Sequence, residues 1–204
     1  MTQVIHLGDR RLIAHCNVRH DPGAQRLLEN LARVDAGGPP LAPGSKIDYG
    51  WALLQIETHG EDWLVCEPDF ESEPMHWLPS VDATLGVLEA QAEFVQRFGV
   101  APQPTRADRT LWLMPDAATV PCVYLHRTPP DSPGDSGWYV GCDVDSGVPG
   151  QRATRVPAGS LLSRRPVLVA ALAMPVGYLL RFEGDALVEV IDDAERVVYE
   201  RQKS

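Results

Sequence analysis

The sequence predicts an α+β fold, mainly antiparallel sheet with two to three packed helices. Three observations lead there. The 204-residue chain carries 18 prolines and 17 glycines, more punctuation than a helix bundle tolerates. Its apolar stretches are short, and several meet across tight polar turns, as the strands of hairpins do. Strands and helices mix along the chain mostly through such hairpins, which favours antiparallel sheet with helices packed against it. At 44% hydrophobic and 23% charged residues, the chain has the makeup of a folded globular protein.

Each element follows from its own residues. QVIHL and RRLIAHC flank Gly8-Asp9 and read as a first hairpin. HDPGAQRLLENLARVDAGG reads as a helix: Asp21 can cap it, Pro22 takes the first helical position, and Leu27, Leu28, Leu31 and Val34 form one apolar face. Gly37 and Gly38 stop it, and PPLAPGS follows as a loop and first candidate boundary. DYGWALLQIETHGEDWLVCEPDF is a second hairpin turning at His59-Gly60-Glu61. After the irregular, acidic FESEPMHWLP, Ser80 caps a long helix. Val81, Leu85, Leu88, Ala92, Val95 and Phe98 recur at helical spacing along it, and Gly99 ends it.

TLWLM and CVYLHR are strands joined by a short turn at Asp116. The turn-dense TPPDSPGDSG then releases the chain into the strand WYVGC, and DVDSGVPGQRATRVPAGS is a loop. A helix near RRPVLVAALAM ends at Pro175, which cannot continue it. GYLLRFEG, ALVEVID and RVVYE close the chain as strands. Gly-Trp enters a strand twice, in YGW and in SGW, each time with an acidic turn and a helix further on. That repetition would make the two parts related sub-domains.

The formal charge of −10 repels phosphate backbones and excludes nucleic acid as the expected ligand, while a basic protein surface would be attracted. MTQVIHLGDRR has charged residues where a secretory signal needs apolar ones. The longest apolar run, PVLVAALAMPVGYLL, is interrupted by Pro175 and Gly177 and is too short for a bilayer span. We therefore expect a cytoplasmic protein with no membrane partner. The four cysteines Cys16, Cys66, Cys122 and Cys142 are widely spaced, as core thiols of a reducing compartment are.

Catalytic motifs are missing from the sequence: it holds no GxSxG, HExxH, phosphate-binding loop or GxGxxG, and so implies no cofactor. HCNVRH sets Cys16 and His20 four apart, but no second ligand pair follows and no metal is expected. DVDSG lacks the later acidic positions of a calcium loop. Two acidic clusters remain, Glu67, Asp69, Glu71 and Glu73, and Asp131, Asp135, Asp143 and Asp145. With Trp77 and Tyr139 nearby they offer charge beside aromatic anchors, a mix suited to gripping a basic protein. Gly137 and Trp138 read as a turn feeding a buried strand, with Asp135 and Ser136 bonding back to that turn.

The segment YLHRTPPDSPGDSGWYVGCDVDSG, followed by PVLVAALAMPVGYLLRFEGDAL, resembles the bacterial immunity protein 33 family domain. The residues that carry the resemblance are Arg127, Pro129 or Pro130, Asp135, Ser136, Gly137, Trp138, Gly141, Asp143, Pro175, Gly177 and Arg181, within about residues 120 to 192. The chain departs from the family at Asp143, where glutamate is the pattern, and in its Gly/Pro-rich 146–160 stretch. The resemblance implies a non-enzymatic antitoxin of polymorphic toxin systems, including type VI secretion, that binds one cognate toxin. It divides the chain into an N-terminal α+β region of unassigned role, 1–118, and an immunity protein 33-like domain, 119–204. Two other readings stand beside it: a regulatory or scaffold binding module, and a cysteine-dependent hydrolase.

Overall fold

The computed structural model of the chain describes residues 1–70, 72, 76–142 and 152–202. It comprises two compact units, Met1–Glu89 and Ala90–Ser204. Both are α+β, and their sheets are mixed but mostly antiparallel.

The first unit is built on the sheet order β1-β2-β5-β4-β3, with β6 against β5. Its strands are β1 Thr2–Leu7, β2 Arg10–His15, β3 Lys46–Tyr49, β4 Ala52–His59, β5 Asp62–Pro68 and β6 Trp77–Leu78. The two expected hairpins form, β1 with β2 and β4 with β5. They are joined by the parallel pairing of Leu12 with Trp63 and Ile13 with Leu64. PPLAPGS is a loop inside this unit, because the next residues form β3, which pairs with β4.

Helix α1 spans Asp21–Gly37 and buries Leu27, Leu28 and Leu31, whereas Val34 is exposed. Asp21 lies within its first turn rather than capping it, and its carboxylate accepts a hydrogen bond from Gln3 Nε2 at 2.8 Å. Helix α2 spans Asp82–Gln96 and is followed by Gly99 at φ +65°. Its buried face matches the expected one at Val81, Leu85 and Val95 and differs elsewhere. Thr84, Leu85, Val87, Gln91, Phe94 and Val95 are buried, while Ala92 is exposed. A polar Gln91 is tolerated inside because its Nε2 donates to the Val169 carbonyl at 3.1 Å.

The second unit holds a seven-stranded sheet in the order β10-β7-β9-β8-β11-β12-β13. Its strands are β7 Thr110–Leu113, β8 Cys122–Arg127, β9 Asp135–Cys142, β10 Thr154–Pro157, β11 Leu179–Glu183, β12 Ala186–Ile191 and β13 Val197–Glu200. The turn Pro115–Ala118 joins β7 to β8, yet β9 inserts between them, parallel to β7 and antiparallel to β8. The sequence reading missed β10, a polar edge strand ending in proline.

The expected helix near RRPVLVAALAM is split in two. Residues Leu161–Arg164 make a single α-turn, α3, and Pro166–Ala173 continue as a 3-10 helix. Pro166 disfavours helical backbone at the residue before it, and Arg165 is extended at φ −158°. The 3-10 helix is apolar all round, and Leu168, Val169, Ala171, Leu172 and Ala173 are buried.

Both Gly-Trp pairs use the same local device. Gly50 and Gly137 have φ of +67° and +76°, and the indoles that follow, Trp51 and Trp138, are fully buried. The left-handed backbone of such a glycine turns the chain so that the next side chain enters the core.

At Gly137 an added Cβ would collide with the Thr128 carbonyl oxygen. Gly137→Ala is therefore expected to cost at least about 3 kcal/mol or to prevent folding. Gly134→Ala, where nothing lies within 4 Å of the new carbon, should cost less than about 1 kcal/mol. Chemical denaturation of both variants checks the pair.

Candidate functional site

The family-pattern residues converge on one buried arginine. Arg127 ends β8, and its Nη1 donates to the carbonyls of Gln103 and Met174, both at 2.6 Å. Its guanidinium lies 5.4 Å over the Trp138 ring. Burial lowers its pKa to about 10, well below the ordinary guanidinium value. Its backbone is engaged as well: the Arg127 N–H donates to the Tyr178 carbonyl at 3.1 Å, and the Gly177 N–H donates to the Arg127 carbonyl at 2.8 Å. Gly177 is at φ +93°, and a Cβ there would approach Asp193 Cβ to 2.6 Å. The glycine of the Pro-x-Gly motif thus lets the chain pass close to Asp193 while its N–H bonds the end of β8.

Trp138 completes this centre. Its indole N–H is shared between Thr105 Oγ1 at 3.1 Å and the Leu172 carbonyl at 3.2 Å. Ser136 Oγ accepts from the Trp138 N–H at 3.2 Å, and Asp135 Oδ2 accepts from the Asp131 N–H at 3.0 Å. The Thr128 N–H donates to the Gly137 carbonyl at 2.9 Å. Asp135 and Ser136 thus brace the turn as their residue types suggest. Asp135 is only 7% exposed, so it serves the fold rather than the surface. Its Oδ1 is buried without a hydrogen-bond partner among the described residues.

The remaining expected contact residues are dispersed. Glu67 is also buried, at 2% exposure, and its two oxygens accept from the N–H groups of Ala83 at 3.1 Å and Thr84 at 2.7 Å. It caps the start of α2 together with Ser80 Oγ, which accepts from the Asp82 N–H at 3.0 Å. This geometry leaves Glu67 no free surface to offer. Asp69 is half-buried and bonded by Ser72 Oγ. Trp77 is half-buried against Ile13, Leu64 and Cys66, with Lys46 Nζ 6.0 Å from its ring. Asp131 is exposed, and Tyr139 is half-buried with its ring 5.8 Å from Tyr124. Arg181 stands apart from the buried centre and pairs with Glu189 at 3.5 Å. Glu71, Glu73, Asp143 and Asp145 lie outside the described residues.

Two buried polar centres escaped the sequence reading. Arg165 donates through Nη1 to the carbonyls of Ala117 and Val120, and through Nη2 to those of Pro121 and Gly184, at 2.6 to 3.0 Å. Only the neighbouring proline, which ejects Arg165 from the helix, hints at this in the sequence. In the first unit, His20 is buried with Nδ1 2.7 Å from Asp82 Oδ1 and Nε2 3.6 Å from Glu89 Oε2. Gly86 makes room for that ring, since a Cβ would sit 3.1 Å from His20 Cε1. Burial alone would raise the Asp82 pKa, but hydrogen bonds from the Asn17 N–H and His20 outweigh it and hold the carboxyl below its ordinary value.

Nucleophilic thiol chemistry finds little support in the buried cysteines. Burial raises the pKa of Cys66 to about 11 and, more modestly, that of Cys16, which disfavours the reactive thiolate. All four cysteines are free thiols. Among the described residues no group of three or more His, Cys, Asp or Glu side chains gathers to hold a metal ion, and no helix is long and apolar enough to cross a membrane.

Two buried arginines bonded to carbonyls, Arg127 and Arg165, thus brace the second unit from inside. The profile of the Imm33-like domain matches residues 90–193, and the chain belongs to that family. No curated protein and no solved structure matches it.

Replacing Arg127 with methionine would strip the Gln103 and Met174 carbonyls of their donor at similar side-chain volume. A loss of about 3 kcal/mol is expected, measured as a shift of the denaturation midpoint. The depressed Asp82 carboxyl stabilises the fold above its unfolded value of about 3.9, and that contribution disappears as pH falls through the lower folded value. Asp82→Asn should therefore lose less stability than wild type between about pH 5 and pH 2, in denaturation curves recorded across that range.

Proposed function

We propose that the chain is a cytoplasmic immunity protein that neutralises a cognate bacterial toxin by binding it directly, without catalysis. Membership of the Imm33-like family over residues 90–193 carries this reading. The charge of −10 supports a basic partner, because complementary charge raises the encounter rate. In this reading Asp131 and Tyr139 supply one set of contacts, with Asp143 and Asp145 following in sequence, and Asp69 and Trp77 a second, with Glu71 and Glu73 between them in sequence. Toxins delivered by type VI secretion or related systems are the class of partner this reading names.

Co-expression with the product of the adjacent reading frame tests the proposal. Growth arrest caused by that product should be relieved, and the two purified proteins should form a one-to-one complex in light scattering. Their association rate should fall by on the order of ten-fold when salt is raised from about 10 mM to about 150 mM, since screening then shortens the reach of surface charge. No rescue and no complex would leave the scaffold-module reading in its place.

A further inference from the structure

The second unit's sheet buries one face, while Trp112, Tyr139, His126, Leu179 and Ile191 of the other face are half-buried or exposed. Leu111, Leu113, Val123, Leu125, Trp138, Val140, Leu180, Phe182 and Val190 point inward and are buried. Side chains alternate along a strand, so their neighbours line the outer face. On that face one row of paired residues crosses all seven strands. Arg155 on β10 opposes Trp112 on β7, and Trp112 opposes Tyr139 on β9. Tyr139 opposes His126 on β8, and His126 opposes Leu179 on β11. Ile191 on β12 continues the row, and past a register irregularity in β13 the exposed Val197 opposes it.

None of these positions is acidic, although the chain has 28 acidic residues against 18 Lys and Arg. Trp112 is 36% exposed and Val197 54%. Arg155 lies 4.8 Å over the Trp112 ring, and Tyr139 stacks on Tyr124, whose ring covers Gly141 so closely that no Cβ would fit there. The rings are thus held in place before any partner arrives, which lowers the entropy cost of using them.

The next row along the same face has the opposite character. Arg181, Glu189 and Glu200 oppose one another across β11, β12 and β13. With Glu183 and Arg201 they line an open cleft of about 740 Å³. Arg181 is already paired with Glu189. Three carboxylates therefore face two guanidiniums at this end, and the cleft suits an incoming cation.

We infer that the outer face of this sheet is the anchoring surface for the toxin, taking an apolar ridge of that protein along the Trp112–Tyr139–Leu179–Ile191 row and its flanking basic side chains over Glu183, Glu189 and Glu200. The inference rests on the toxin-binding reading and sharpens it: acidic groups steer the partner, and the acid-free row grips it. Aromatic anchors in a desolvated patch commonly supply most of the binding energy of such a complex.

Calorimetric titration of the purified full chain with the product of the adjacent reading frame tests it. Trp112→Ala and Val197→Lys change exposed positions and should leave the melting temperature near that of wild type, yet each should raise Kd at least ten-fold. Val34→Ala, at an equally exposed position on α1, should leave Kd within two-fold. If wild type binds and both row variants bind within two-fold of it, the row is not the anchor while the toxin-binding reading survives. If wild type does not bind, both fall. If wild type is a dimer that Trp112→Ala converts to monomer, a second copy of this chain covers the face and the inference is overturned.

Discussion

The second unit depends on a guanidinium buried against carbonyls. Arg127 carries a charge into the interior, and its described hydrogen bonds there go to the neutral oxygens of Gln103 and Met174. Burying a cation is costly, and carbonyl dipoles and the Trp138 ring face offset that cost. The same bonds solve a second problem. A 3-10 helix has poorer internal hydrogen bonding than an α-helix and leaves carbonyls open at its end. Here Gln91 takes the carbonyl of Val169, Trp138 and Thr105 take that of Leu172, the Gln103 N–H that of Ala173, and Arg127 that of Met174. Arg165 repeats the device at four carbonyls of two loops.

This explains which parts were legible in the sequence. Hairpins were, because alternation and a turn glycine act over a few residues: β1 with β2 and β4 with β5 follow from local pattern alone. The burial of Trp138 was readable from Gly137 before it. The buried face of α2 was legible only in part: Val81, Leu85 and Val95 are buried as their spacing suggests, whereas Gln91 is inside only by virtue of a carbonyl 78 residues away. The long helix before Pro175 split because Pro166 acts backwards on Arg165, a constraint that apolar spacing does not report. Glu67 looked like surface charge among other acids. Its distant role as a cap for α2 depends on how β5 and that helix start meet, which no local pattern encodes.

The family pattern changes meaning once its residues are located. Arg127, Ser136, Gly137, Trp138 and Gly177 are bound to one another or to shared backbone, so the pattern records how the sheet and the 3-10 helix are fastened. A signature of that kind marks a shared scaffold and says little about the partner each member recognises. Asp131 at the turn before β9 and Tyr139 within β9 stand outside that fastened core, and the buried residues between them set both in place.

Rigidity is what joins the two levels. Strands whose inner face is locked by packing hold their outer side chains in fixed positions, so a partner meeting that face orders few rotamers. The alternation that buries Trp138 and Val140 necessarily presents Tyr139 and Gly141 on the other side. Any substitution that shifts β9 by one residue would exchange these sets, drawing the tyrosine inward and exposing the indole. Gly137 prevents that slip, because its left-handed backbone beside the Thr128 carbonyl admits only one entry into the strand. The register that folds the unit is therefore the same register that composes its outer surface, and neither can change without the other.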